Sequence, residues 1–158
     1  MSRAQPGGHQ RVNAVLGLIA TLLGTSCIAA LWSFLPLFAT VSGGFDSSRL
    51  HTLLAFGGPV AALALFGLLA FNGYRAGPGR ALAVLLLYLA AAIYANYVTS
   101  AGLIAGPLGY TLGEAMQRIG PELALALVRS GLSMMDLLLY LAGAVLAVLL
   151  GGYPRARA

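Results

Sequence analysis

Four apolar stretches, Val12–Phe38, Leu53–Phe71, Ala81–Thr99 and Leu132–Leu150, take up most of this chain, and almost every charge lies between or outside them. The hydrocarbon core of a bilayer is about 30 Å thick, so a helix needs roughly 20 apolar residues to cross it. Each stretch meets or approaches that length. The sequence predicts an all-α integral membrane protein: a four-transmembrane-helix bundle forming one membrane domain over residues 1–158.

Composition supports this class. Only 8% of the 158 residues are charged and 59% are hydrophobic, whereas soluble domains carry about 25% charged residues. A lipid-facing surface accounts for so few charges; a water-facing one does not. The basic residues are all arginine, scattered in ones and twos. They form no stripe of the kind that tracks phosphates, so nucleic acid is excluded as a partner. The partners expected are the lipid bilayer and either a second membrane protein or further copies of the chain. Cys27 is the single cysteine; it rules out an intrachain disulfide and reads as a small packing residue. Gly24 stands where bacterial lipid-attachment sites usually carry leucine, and the apolar run continues past the cysteine. Val12–Phe38 is also far longer than a signal-peptide core of about 7–15 residues, so it reads as a retained helix.

Cytoplasmic segments are enriched in Lys and Arg. Arg3 and Arg11 precede the first stretch, Arg75 and Arg80 lie between the second and third, and Arg155 and Arg157 follow the fourth. The acids Asp46, Glu114, Glu122 and Asp136 all fall on the alternate side. Four crossings with both termini cytoplasmic follow. The arginine-only basic set and the bias suit a bacterial inner membrane.

Local features refine the helices. Gly17, Thr21 and Gly24 share one face of the first helix, where another helix can approach closely. Trp32 reads as an interfacial anchor and Pro36 as a kink or end. Ser42-Gly43-Gly44 and Asp46-Ser47-Ser48 read as an external loop. Gly57-Gly58-Pro59 is a candidate helix break, either a packing kink or a cavity wall. Tyr88, Tyr94, Asn96 and Tyr97 are the densest aromatic and polar group, with Asn96 in need of a partner. Residues 110–119 predict a short interfacial helix, with Glu114 and Arg118 placed to pair. Gly120-Pro121-Glu122 then reads as a new helix start, from which the fourth helix extends if it is continuous.

That continuity would create a candidate polar stripe. Glu122, Arg129 and Asp136 are spaced by seven and align at about 100° per residue, with Ser133 and Tyr140 close to the same line. Gly143 and Ala147 below them are a candidate packing groove. Asp136 would be the deepest ionisable group: either an acid balanced by Arg129 or Arg118, or a proton or cation ligand. His9 and His51 both lie outside the predicted spans, and no sequence motif for a metal site, haem, phosphate loop or serine nucleophile is present. No catalytic, cofactor-binding or metal-ligating residue is assigned and no cofactor is expected. The expected role is an accessory or scaffold subunit of a membrane assembly. The alternatives are a transporter or channel component with a path near Asp136 and the Pro59 break, or a membrane-embedded enzyme acting on lipid.

Overall fold

The computed structural model describes residues 7–41 and 50–152, with side chains for 15–38 and 50–152. Six helices account for them: α1 Gly7–Val41, α2 Leu50–Phe71, α3 Pro78–Leu108, α4 Leu112–Arg118, α5 Pro121–Gly131 and α6 Met134–Gly152. There is no strand among the described residues. The helices α1, α2, α3 and α6 are long and apolar enough to cross a membrane. Their outward side chains are apolar too: Leu31, Phe38, Phe71 and Ile93 are among the most exposed residues. Asp46, the Ser42–Ser48 loop, and Arg3, Arg49, Arg155 and Arg157 lie outside the described residues, as does the side chain of Arg11.

Specific contacts set the topology. Asn72 donates to the Thr21 hydroxyl at 2.9 Å and Trp32 donates to the Leu54 carbonyl at 2.6 Å, which makes α1 and α2 antiparallel. Tyr88 and Asn96 of α3 both bond to Tyr140 of α6, while Arg80 reaches the carbonyls of Gly151 and Leu150. So α3 runs antiparallel to α6. One end of the bundle carries the α2–α3 turn and the C-terminus of α6; the other carries α4 and α5.

The core between these helices is built from small residues and a few large ones. Ala61, Ala62, Ala91, Ala95 and Ala147 are buried beside Leu54, Leu65, Leu69, Val84, Trp32 and Tyr88. Small residues let the helices approach closely, so van der Waals packing is dense between them. Thr21 is buried, and a Cβ on Gly24 would fall 2.7 Å from the Leu68 side chain, so both sit against α2; a Cβ on Gly17 would meet nothing. Gly143 and Ala147 are buried inside the bundle. These faces are therefore occupied within the chain.

Several local expectations are corrected. Of the two readings of Pro36, a kink or an end, the end is overturned: α1 continues to Val41 with Pro36 buried. Trp32 is not an interfacial anchor: it is 6% exposed and stacks on Tyr88 with ring centroids 5.8 Å apart. α2 is helical across Gly57-Gly58-Pro59, which agrees with the packing reading of this segment and not with a break that lines a cavity. Pro59 has no N–H to offer the Ala55 carbonyl, and the neighbouring Leu54 carbonyl takes the Trp32 indole N–H. The glycines instead make room: a Cβ on Gly57 would fall 2.5 Å from the Trp32 nitrogen, and one on Gly58 2.8 Å from the Tyr88 hydroxyl.

α3 runs on to Leu108, well past the expected end at Thr99, and stops where Gly109 adopts φ 66°, a left-handed cap that glycine enters without strain. Thr111 and Glu114 then form a reciprocal capping box at the start of α4. Glu114 is thereby committed to Thr111, whose backbone N–H first and hydroxyl second hold its carboxyl below the usual carboxylate range. It does not pair with Arg118, which lies over the Tyr110 ring and donates to its hydroxyl at 3.0 Å. Tyr97 donates to the carbonyls of Met116 and Ile119, tying α4 to α3.

Candidate functional site

The helix expected to run unbroken from Pro121 is two helices. α5 ends at Gly131, Leu132 has extended backbone, and α6 begins at Met134. Ser133 and Asp136 hold the new start reciprocally: the Ser133 N–H donates to Asp136 Oδ2 at 2.8 Å, and the Asp136 N–H donates to the Ser133 hydroxyl at 3.2 Å. Short polar side chains followed three residues later by an acid favour such a cap over continued helix. The single line through Glu122, Arg129 and Asp136 is consequently not formed. Glu122 and Arg129 are exposed on α5, whereas Asp136 is 0% exposed at the first turn of α6.

Asp136 is not balanced by Arg129 or Arg118. Its Oδ2 takes the Ser133 N–H, and its Oδ1 is buried with no hydrogen-bond partner. Beside it stands His51, which sequence reasoning left outside the spans. In the structure His51 belongs to the first turn of α2 and is 3% exposed. Its side chain is near both Asn96 and Asp136, yet Nδ1 of His51 and Oδ1 of Asn96 have no well-formed hydrogen bond. Gly131 covers the ring, since a Cβ there would fall 2.1 Å from His51 Cδ2. A signal for His51 existed in the sequence: it precedes Gly58 by seven and Ala62 by eleven, which keeps all three near one helix face.

Asn96 links this polar cluster to the interior of the bundle. Its Nδ2 donates to the Ala92 carbonyl and to the Tyr140 hydroxyl, each at 2.9 Å. The Tyr88 hydroxyl in turn donates to the Tyr140 carbonyl at 3.1 Å. The Asn96–Tyr140 pair also borders a groove of about 560 Å³ between α3, α5 and α6. The rest of that groove is apolar, with Leu89, Ile93, Leu125, Val128 and Leu141 among its walls. Its volume falls within the range of about 300–1,000 Å³ typical of small-ligand sites. α5 is positioned as its wall by Ala124, which packs in a small cluster with Ala101, Ala105, Ala115 and Ile119.

The other end of the bundle has a structural polar site. Arg80 is buried, donates to Gly151 at 2.9 Å and lies over the Phe66 ring at 5.1 Å. It satisfies carbonyls that the end of α6 leaves without helical donors, and its charge complements the helix dipole. Among the described residues no group of three or more His, Cys, Asp and Glu side chains is placed to hold a metal ion. Comparison of the chain with protein-family models, with curated proteins and with solved structures returned no match.

Proposed function

We propose that this is an accessory, lipid-binding protein of a bacterial inner membrane, with the groove between α3, α5 and α6 as the seat of a lipid tail. The observation that carries the reading is the groove itself: about 560 Å³, apolar along its walls, with the Asn96–Tyr140 hydrogen bond as a polar feature. Ile93, Leu137 and Leu141, which border it, are exposed on the apolar exterior, so bilayer lipid has direct access. Arg129 is exposed on α5, the wall of the groove, where it can meet a lipid phosphate while the tail lies below. Small-residue faces no longer argue for a protein partner, because Thr21, Gly24, Gly143 and Ala147 pack within the chain. An accessory role fits the small size of α4 and α5, the described helices outside the four long ones.

The test is lipid retention. Purified in mild detergent from its native membrane, the protein should carry a tightly held phospholipid detectable by native mass spectrometry. Ala144→Phe and Val128→Trp fill the groove from two walls and should each lower occupancy while the protein stays folded. Equal lipid retention in both folded variants would remove the groove as the binding site.

In this reading both termini are cytoplasmic, and α4 and α5 lie in the external interface. In a Cys27→Ser background, Gly113→Cys should react with an impermeant thiol reagent added outside cells, and Ala76→Cys should not. Labelling of position 76 from outside would overturn the orientation. Both positions are exposed in the fold, so differential reactivity reports the membrane rather than burial.

A further inference from the structure

The groove leaves one group of atoms unused. Oδ1 of Asp136, Oγ1 of Thr99 and Oγ of Ser100 are buried and have no hydrogen-bond partner, while the nearby Oδ1 of Asn96 and Nδ1 of His51 are buried without a well-formed bond. Thr99 and Ser100 follow Asn96 by three and four residues, so the three side chains occupy adjacent positions on one side of α3. Asp136 and Asn96 both face the neighbourhood of His51, and both adjoin Tyr140. Leaving a buried polar group unsatisfied is costly, and more so when it is charged. Asn96 and His51 adjoin each other. Because α3 and α6 are antiparallel with Asn96 bonded to Tyr140, Thr99 and Ser100, one turn beyond Asn96, stand at the depth of Asp136, one turn before Tyr140.

The hydroxyls are informative because this chain has another way to satisfy them. Thr21, Thr25, Ser26 and Ser33 each donate to the carbonyl four residues earlier in α1. Thr99 and Ser100 sit in an equally regular helix, are 0% exposed, and make no such bond. Their oxygens therefore remain available as acceptors.

We propose that Asp136, Asn96, Thr99 and Ser100 bind a dehydrated monovalent cation at the α4–α5 end of the bundle, with His51 closing the site. Carboxylate, amide and hydroxyl oxygens are the ligands that hard cations take. The charge count selects a monovalent ion: one carboxylate neutralises one positive charge, whereas a divalent ion would leave a buried net charge. Asp136 is already oriented, because Ser133 holds Oδ2 and leaves Oδ1 free to coordinate. The site shares Asn96 with the groove but does not require a lipid to be bound.

The measurement is thermal unfolding of the full-length protein in detergent, with sodium chloride exchanged for choline chloride at constant ionic strength, alongside binding of radioactive sodium. Sodium should raise the melting temperature saturably, as a ligand of the folded state does, and choline should not. Thr99→Val keeps the side-chain shape and should weaken apparent sodium affinity at least about tenfold, as should Ser100→Ala. Asp136→Asn should abolish the response. If that variant does not fold, Thr99→Val and Ser100→Ala decide the matter, and unchanged affinity in both overturns the proposal. Identical melting in sodium and choline with no bound sodium would also overturn it, leaving water or a proton as the occupant. So would a calcium response without a sodium response.

Discussion

Gly143→Leu should lower the stability of the detergent-solubilised protein by more than about 3 kcal/mol, beyond the usual range for overpacking. A Cβ at this position would already fall 2.3 Å from the Tyr88 hydroxyl and 3.1 Å from the carbonyl carbon of Gly58. The second contact is backbone of α2, which no rotamer change can relieve, so α2 and α6 must move apart. Separation forfeits dispersion contacts along both helices, and in lipid these are the main attraction between them. Leu149→Ala is the control: Leu149 is 60% exposed on the apolar exterior, and its truncation should change stability by less than about 0.5 kcal/mol. Thermal melts of the two variants check this. Equal, small effects would show that α6 does not pack through Gly143. Gly143→Ala should fall between them, and Tyr88→Phe in the same chain should recover part of the loss by removing the closest atom.

Trp32→Ala should be the next most damaging change, at about 3–5 kcal/mol, the range for truncating a buried large aromatic. The indole fills space between three helices: it stacks on Tyr88 of α3, approaches Tyr140 of α6 at 6.1 Å, and donates to the Leu54 carbonyl of α2. Gly57 is shaped around it, so truncation opens a cavity whose walls are held apart by the remaining side chains. Trp32→Phe should recover most of the packing but lose the hydrogen bond beside the Pro59 step, leaving a cost of about 1 kcal/mol. The check is a pair of melts together with tryptophan fluorescence, which in the parent protein should be blue-shifted and poorly quenched by acrylamide because Trp32 is the single tryptophan and is buried. A strongly quenched, red-shifted indole would place Trp32 at the membrane interface instead.

The two substitutions show why parts of this fold were legible in the residues and others were not. Whether a segment can cross a bilayer depends on summed transfer free energy over about 20 residues, a one-dimensional quantity. Four such segments could therefore be named from apolar length alone. Small residues at helical spacing likewise marked positions where helices could approach, although not whether the neighbour would be another helix of the same chain. α2 supplies the answer for Gly24 and Gly143 through Leu68 and Gly58.

What one dimension does not contain is the competition between local caps and helix continuation. Ser133 and Asp136 can either ride in a helix or end one, and the choice falls to capping because α5 packs through Ala124 against α3. That choice dissolves the stripe, exposes Arg129, and turns Asp136 inward. By charge and position along the chain, His51 and Arg80 are likewise polar residues at the edges of the spans. Their roles come from contact with distant segments: Gly131 seals His51, and the end of α6 lies across Arg80. Apolar length determined that this chain forms four helices suited to a bilayer. Only the tertiary structure decided which polar groups those helices enclose, because satisfaction of a buried polar atom depends on partners that are remote in sequence.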